Sequence, residues 1–253
     1  PAGAGPREGE GAASDDVKTH VWPADRRRDS DRFLDSLEGD GAPRLYFLHA
    51  MLPHVPWVYL PSGREYWGSL YAAAHAPGVA PDTTWTGPQW LVDRAYQRHL
   101  AQVAYVDRLL GKLLDRLAET GLDDEALLVV VSDHGFSFRA GQRGRHPDRE
   151  NFAEILPVPL FVRLPGQTEP VVSDRNVETV DVLATLAEAL DLELPFDTDG
   201  VSALSESPER SGKRVAVGGG EELRFEPYDR DAKFEALDRK LDLFPEGLFR
   251  LGP

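Results

Sequence analysis

An apolar run that ends abruptly in an acid, an imidazole and a glycine narrows the possible folds of this chain. Residues 127–131 read Leu-Leu-Val-Val-Val, and Ser132, Asp133, His134 and Gly135 follow at once. Short runs rich in β-branched residues are typical of strands buried on both faces of a sheet. Since an open α/β sheet carries its chemistry at the carboxyl ends of its strands, this junction predicts an α/β fold with a site just after residue 131.

The tripeptide Asp133-His134-Gly135 has two interpretations. A carboxylate offers a hard oxygen ligand and an imidazole offers a nitrogen ligand, while Gly135 lets the chain turn without a side chain in the way. Asp133 and His134 are therefore a candidate half-site for a divalent metal. Asp and Gly also form ordinary turns after strands, and a single His is more often no ligand, so both interpretations stay open.

The size and charge of the chain bound its class. It has 253 residues, 41% of them hydrophobic, which is enough for one large α/β domain, and no internal repeat is visible. Acidic residues outnumber basic ones by 43 to 28, for a net charge of −15. Nucleic acid and anionic lipid are thus disfavoured as partners, because both need a basic face. The lack of cysteine excludes disulfides and thiolate metal sites.

The start of the chain lacks hydrophobic periodicity. We expect 1–30 to be a disordered or linker segment and 31–253 to form the domain. The basic triplet at 26–28 has acidic neighbours and is interpreted as a solvated surface patch rather than a binding site. A short amphipathic helix is predicted from about residue 30 to residue 37.

Periodicity and chain breakers predict the remaining elements. The clearest is a helix from Pro88 to about Glu119, ended by Gly121, to which we assign packing and no chemistry. Further helices are predicted at 177–190 and 229–243. Further strands are predicted at 44–49, 158–163 and, weakly, 214–217.

Two loops beyond predicted strands carry candidate anion contacts. Pro53 and Pro56 brace the loop around His54, which would aim its imidazole, although a rigid turn with an incidental histidine is the alternative. The loop between the strands at 127–132 and 158–163 should lie over Asp133. It carries four arginines and a histidine, which would suit phosphate or sulfate, or would simply be solvated: Arg139, Arg143, Arg145, His146 and Arg149.

Several short segments of the sequence occur in a characteristic order along the chain. They are Phe47-Leu48-His49, Pro53-His54-Val55-Pro56, Tyr105-Val106-Asp107, Ser132-Asp133-His134-Gly135, the Val-Pro-Leu-Phe-Val-Arg-Leu-Pro-Gly stretch at 158–166, the Thr-Val-Asp-Val-Leu stretch at 179–183 and the Asp-Gly-Val-Ser-Ala-Leu stretch at 199–204. This order resembles the sulfatase family of the alkaline phosphatase superfamily, in the branch of membrane-anchored sulfatase-like proteins and lipoteichoic acid synthases. The resemblance spans about 44–205. It implies a three-layer α/β/α sandwich with a mixed central sheet.

The resemblance also implies roles for individual residues. Asp133 and His134 would be ligands of a divalent metal ion, which the sequence does not narrow further than Ca, Mn, Mg or Zn. His54 would contact the sulfate or phosphate of an anionic ester substrate. The family uses a further cationic side chain after Asp-His-Gly to contact the anion, and this residue is commonly a lysine. In this sequence Arg145, His146 or Arg149 could take that role.

The family's nucleophile has no recognisable counterpart in this chain. It is a formylglycine made within Cys/Ser-x-Pro-x-Arg, or a threonine, and it precedes the Pro-His-x-Pro segment. The candidates here stand in the segment expected to be disordered: Ser14, Asp15, Asp16 and Thr19. We therefore expect this chain to be the C-terminal part of a longer catalytic domain. The resemblance implies that the missing N-terminal segment is its partner and tethers it to a membrane on the extracytoplasmic side.

Two functions follow from these residues. The first is metal-dependent hydrolysis or transfer of sulfate or phosphate esters, with His54 facing Asp133 and His134 across a cleft. The alternative is a non-catalytic sulfatase-like binding or interaction module. An upstream strand ending in acidic residues, followed by a nucleophile motif, would favour the enzyme. A plain α/β structural domain would leave the co-occurrence of these motifs to chance.

Overall fold

Helices alternate with short strands along the part of the chain that the structure describes. The structure is a computed structural model, and it describes residues 26–65, 78–80, 82–216 and 222–241. The elements are α1 (Arg26–Asp35), α2 (Gln89–Thr120), β1 (Leu128–Val131), α3 (Phe152–Ile155), β2 (Leu160–Arg163), α4 (Asp181–Ala189), β3 (Lys213–Ala216), β4 (Glu222–Phe225) and α5 (Ala232–Leu241). Among these helices, none combines the length and the apolar composition that crossing a bilayer requires. The expected disorder of residues 1–25 lies outside the described residues.

The longest element, α2, has the ends that the sequence predicts. Pro88 precedes it with an extended backbone, and Gly121 follows it in the left-handed region at a φ of 73°, which glycine adopts without strain. One face is buried, at Val92, Ala95, Ala101, Gln102, Tyr105 and Leu117. Two apolar residues of the helical periodicity that predicts α2, Val103 and Leu114, are exposed.

The two predicted strands that frame the basic loop are neighbours. β1 pairs antiparallel with β2, with Leu128 opposite Arg163 and Val131 opposite Leu160. The loop between them therefore leaves and returns at the end of the ladder that carries Asp133, as predicted. The expectation that β1 is buried on both faces is wrong for the described residues, since Val131 is 42% exposed. A strand is buried on both faces only with elements above and below it, and in the described structure β1 pairs with β2 alone.

Residues 44–49, predicted to form a strand, form none in the described structure. Leu45 and Phe47 are 86% and 80% exposed. The segment has strand-forming residues, but a strand needs a neighbour for its backbone hydrogen bonds. The described sheets are two ladders of two strands, β1 with β2 and β3 with β4. A mixed central sheet within three layers stays a prediction.

The remaining predicted elements are present with somewhat different bounds. The helix predicted at 177–190 is α4, and the weak strand at 214–217 is β3, whose predicted last residue lies outside the described residues. The helix predicted at 229–243 is α5, and residues 242 and 243 are likewise outside. α5 is anchored through Lys240, whose ammonium lies 3.2 Å from the buried carboxylate of Glu154.

Helix α1 begins at Arg26, ahead of the predicted start. Arg26 is buried, and its guanidinium donates hydrogen bonds to the carbonyls of His54 and Val55 at 2.6 Å and 2.9 Å. The prediction of a solvated patch is therefore wrong for Arg26, although Arg28 is exposed. Two carbonyl acceptors offset the cost of burying the guanidinium, and composition alone cannot reveal them.

An aromatic core joins α2 to the two loops that carry the candidate site. Trp57, Trp85 and Phe138 pack on Val92 and Ala95 of the helix. The rings of Trp57 and Phe138 lie 5.4 Å apart, and those of Trp57 and Trp85 lie 6.3 Å apart. A second cluster of Leu52, Val58, Tyr59 and Tyr105 continues this packing along the helix. The core thus lies directly beneath His54 and the residues that follow His134.

We predict that this core loses stability in acid through His99. Burial, with a further contribution from Lys240, lowers the pKa of His99 to about 4 from an ordinary value of 6.5. Between these values the unfolded chain binds more protons, so stability is full above pH 6.5 and falls as the pH drops through the window. The expected loss by pH 4 is about 3 kcal/mol.

Urea unfolding at pH 7 and pH 4 measures this loss. His99→Phe keeps a ring among its aromatic neighbours and removes the titration, so its stability should depend less on pH. His146→Asn, a change at an exposed histidine, is the matched control and should unfold like the parent chain. An equal acid sensitivity in all three proteins would contradict the assignment to His99.

Candidate anion and metal site

Asp133 and His134 direct their donor atoms to one place just beyond β1. Asp133 Oδ1 accepts a hydrogen bond from the backbone N–H of His134 at 2.9 Å, and Oδ2 lies 3.7 Å from His134 Nε2. His134 Nδ1 lies 2.8 Å from the carbonyl of Gly135. A carbonyl only accepts, so the proton of the neutral ring sits on Nδ1 and the lone pair on Nε2. An imidazole oriented in this way is suited to bind a metal.

Gly135 is required by the close approach of a neighbouring segment. Its N–H donates to the carbonyl of Ile155 at 2.8 Å, and a Cβ at this position would lie 2.5 Å from the carbonyl oxygen of Glu154. The predicted need for glycine is therefore confirmed, with backbone packing as its cause. This contact holds the Asp-His-Gly turn against α3.

The two donors do not make a complete metal site by themselves. In the described part of the chain, no group of three or more His, Asp or Glu side chains could hold a metal ion. Zn²⁺ takes about four ligands and Ca²⁺ about six to eight. Asp133 Oδ2 and His134 Nε2 suit a half-site in their chemistry, and further ligands would have to come from elsewhere.

His54 lies in a loop between two prolines, and both peptide bonds that precede these prolines are cis. Burial lowers the pKa of the half-buried His54 ring, and electrostatic interaction with Arg26 and Arg145 lowers it further. Arg145 and His134 are both within electrostatic range of the ring. That His54 faces Asp133 and His134 across a cleft stays a prediction.

Asn151 organises the basic loop from inside. It is fully buried, and its side-chain amide donates to the carbonyls of Arg143 and His146 at 3.0 Å and 3.1 Å. Its Oδ1 accepts from the N–H of Asp148 at 2.7 Å. The side chains of Arg145 and His146 are exposed, while Arg139 of the same loop binds the buried carboxylate of Glu154.

The candidate cations of this loop have different positions. Arg145 lies within electrostatic range of His54. His146 lines a neighbouring groove of about 590 Å³ together with Arg143 and Arg149, and also with the acidic residues Asp82, Asp148 and Glu150. Arg145 is thus the candidate cation of this loop that acts electrostatically on His54, while His146 lines a surface of mixed charge.

Gln102 and Arg26 are contacts that the sequence interpretation missed. Both donate to the carbonyl oxygen of His54, although α2 was assigned no chemistry and the triplet at 26–28 was interpreted as solvated. A signal for Gln102 was available: it is a polar residue at helical spacing from Val92 and Ala95, within the buried face of α2. No comparable pattern distinguishes Arg26 from its neighbours.

Comparison with known proteins relates this site to a family. The family model described as Sulfatase matches residues 14–192. An endo-4-O-sulfatase of Bacteroides thetaiotaomicron is 33% identical over 88 residues, covering 35% of this chain and 17% of that protein. An ulvan-active sulfatase of Formosa agariphila is 23% identical over 193 residues, covering 75% of this chain and 37% of that protein.

A third relative is similar over a comparable length. It is an N-acetylglucosamine-6-O-sulfatase of Bacteroides thetaiotaomicron, 29% identical over 188 residues, which cover 70% of this chain and 30% of that protein. The matches therefore span between 17% and 37% of the length of these curated relatives.

The packing at Gly135 makes a direct prediction. Gly135→Ala should lower the free energy of unfolding by about 1–3 kcal/mol, because the added methyl group would press on the backbone of Glu154. Gly111→Ala is the matched control: it lies in α2 with open space around the new methyl group. This change should be neutral or stabilising by up to about 1 kcal/mol. Urea unfolding compares the two, and a Gly135→Ala protein as stable as its parent would exclude the proposed close packing.

Proposed function

The chain belongs to the sulfatase family, and we propose that it supplies part of the metal and anion site of an enzyme that hydrolyses sulfate esters. Membership of the family implies an α/β fold of the alkaline phosphatase kind, and the helices and small sheets of the described residues are consistent with that fold. The observation that supports the proposal is that Arg145 and His134 both act electrostatically on His54, while Asp133 Oδ2 lies 3.7 Å from His134 Nε2.

The chemistry of these groups suits a sulfate ester. The guanidinium of Arg145 and the ring of His54 would offer donors to oxygens that gain negative charge as the ester bond breaks. Asp133 Oδ2 and His134 Nε2 would hold a divalent metal, which when bound neutralises the anion and lowers the pKa of a nucleophile. The same contacts would also suit a phosphate ester as substrate, or transfer of the group to a second alcohol instead of water. These two possibilities are the alternatives to hydrolysis of a sulfate ester.

The ring of His54 has a defined state in the protein without substrate. Its Nδ1 lies 2.6 Å from the carbonyl of Val55, so the neutral ring carries its proton there and presents the lone pair of Nε2 outward. Because its pKa is lowered, the neutral form prevails at pH 7. The ring can donate to a sulfate oxygen from Nε2 only after it takes up a proton. Anion binding and protonation of His54 are therefore coupled.

This coupling predicts how sulfate binding depends on pH. The affinity for inorganic sulfate should rise by up to about tenfold per pH unit as the pH falls from 7.5 toward the pKa of His54, because the anion binds the protonated ring. Calorimetric titration at several pH values measures it. His54→Gln should remove most of the dependence, and His49→Gln, at an exposed histidine, should keep it. If the affinity of the parent chain for inorganic sulfate did not change with pH, this result would argue against His54 as an anion contact.

We further propose that an upstream segment of the same polypeptide completes the site, and that this segment is membrane-anchored and places the domain outside the cytoplasm. Support comes from strand-forming apolar residues that stay exposed, such as Leu45, Phe47 and Phe161, at 86%, 80% and 62%. The half-site at Asp133 and His134 also needs ligands from elsewhere. The predicted lack of a nucleophile stays a prediction, since its candidates, residues 14–19, lie outside the described residues.

Metal content tests both parts of this proposal. We expect the 253-residue chain alone to lose added Ca²⁺ or Mn²⁺ on dialysis, because two ligands hold either ion weakly. A polypeptide that includes the upstream segment should retain about one ion per molecule, measured by elemental analysis. Asp133→Ala should abolish this retention, while Asp115→Ala, at an exposed position on α2, should not. Full occupancy in Asp133→Ala would exclude Asp133 as a ligand.

A further inference from the structure

We propose that Gln102 is a positioning residue: together with Arg26 it fixes the backbone of His54, and so aims the His54 imidazole into the candidate anion site. The role of His54 in anion binding rests on the proposed function. The contacts that hold His54 are independent of that function and can be tested separately.

Gln102 ties both ends of the His54 loop to α2. Its side-chain amide is fully buried, and its Nε2 donates to the carbonyl of His54 at 2.9 Å. Its Oε1 accepts from the backbone N–H groups of Val58 and Tyr59 at 3.0 Å and 3.3 Å. One amide thus spans the loop, with a donor at His54 and an acceptor at the segment that follows Trp57.

The chemistry of this position calls for glutamine. A buried amide is tolerated when its donor and acceptor atoms find partners, and here both atoms do. An ionised glutamate would place a carboxylate oxygen against the carbonyl of His54, and a methionine would offer neither a comparable donor nor a comparable acceptor. The hydrogen bonds connect residues 43 to 48 positions apart in the chain, so they set tertiary and not local geometry.

Arg26 holds the same loop from the opposite element, α1. Its Nη1 donates to the carbonyl of His54 at 2.6 Å and its Nη2 to the carbonyl of Val55 at 2.9 Å. The carbonyl of Val55 is also the partner of His54 Nδ1, at 2.6 Å. A continuous path therefore leads from Arg26 through this carbonyl to the ring, and it directs His54 Nε2 away from the backbone.

Gln102 and Arg26 restrain different parts of the loop that carries His54. Gln102 and Arg26 meet at the carbonyl of His54, which restrains the backbone, and Arg26 alone reaches the carbonyl that orients the ring. The contacts that define this role all go to backbone groups of the loop. Their effect on binding acts through His54, and loss of either contact should let the ring rotate away from His134 and Arg145.

The experiment compares Gln102→Met with Leu117→Ala in the whole chain. Both residues are buried on α2, but Leu117 belongs to neither aromatic cluster and its apolar side chain cannot hydrogen-bond to the His54 loop. Two quantities are measured: the position and width of the His54 ring signal in ¹H–¹³C spectra, and the affinity for inorganic sulfate. Gln102→Met should move or broaden the ring signal and weaken sulfate binding about fivefold or more, the amount expected for a typical lost hydrogen bond. Leu117→Ala should leave both unchanged even where it unfolds more easily.

Arg26→Lys provides a second, independent variant. It keeps the positive charge near His54 but cannot donate to two carbonyls in the fork geometry of a guanidinium. Arg26→Lys should therefore shift the His54 ring signal in the same way as Gln102→Met. If Gln102→Met does not fold, Arg26→Lys tests the positioning role in its place. A ring signal unchanged in the folded variants would overturn the proposal. So would an equal change in Leu117→Ala, because the effect would then be a general loosening of the fold.

Measuring the sulfate affinity of a His54→Ala variant distinguishes failure of this proposal from failure of the proposed function. If His54→Ala weakens sulfate binding but Gln102→Met and Arg26→Lys do not, the positioning role is overturned and the anion role of His54 stands. If the ring signal moves in Gln102→Met while His54→Ala binds sulfate normally, the positioning contacts stand and the anion role fails.

Discussion

The packing of two tryptophans against α2 is the constraint on which the rest of this structure depends. The indole N–H of Trp57 donates to the carbonyl of Pro53 at 3.1 Å, and that of Trp85 donates to the carbonyl of Ser137 at 2.8 Å. Each ring thus buries a large apolar area and also holds a loop backbone. Because both loops pack on α2, the tryptophans hold the segments that carry His54 and His134 to the same helix.

Local charge at the site opposes the overall charge of the chain. The protein carries a net charge of −15, yet Arg26 and Arg145 both act electrostatically on His54. The buried carboxylate of Glu154 is already engaged: it binds Arg139 at 2.5 Å and Lys240 at 3.2 Å, and these cations hold the pKa of Glu154 low against its burial. An acidic protein can therefore present a small cationic surface to an anion, because its buried acids have dedicated partners.

The sequence motifs predict the types of the candidate site residues, and the described contacts show how some of them are held. The motifs identify Asp133, His134 and His54 as residue types in an order. The contacts add how each is oriented: Gly135 by the backbone of Ile155, His134 by the carbonyl of Gly135, and His54 by Gln102 and Arg26. Orientation of this kind is what turns a matching motif into a site with defined donors and acceptors.

The sequence by itself determined the features that depend on near neighbours in the chain. The ends of α2 follow from Pro88 and Gly121, and the placement of the basic loop follows from two strands that pair across it. The exposure of Val131, the unpaired segment at 44–49 and the burial of Arg26 were decided only by the tertiary structure. These features depend on which distant groups are available as partners, such as a carbonyl 28 residues from Arg26 or one 48 residues from Gln102. Local periodicity carries no information about such partners, because hydrogen bonds across the fold are set by packing rather than by spacing along the chain.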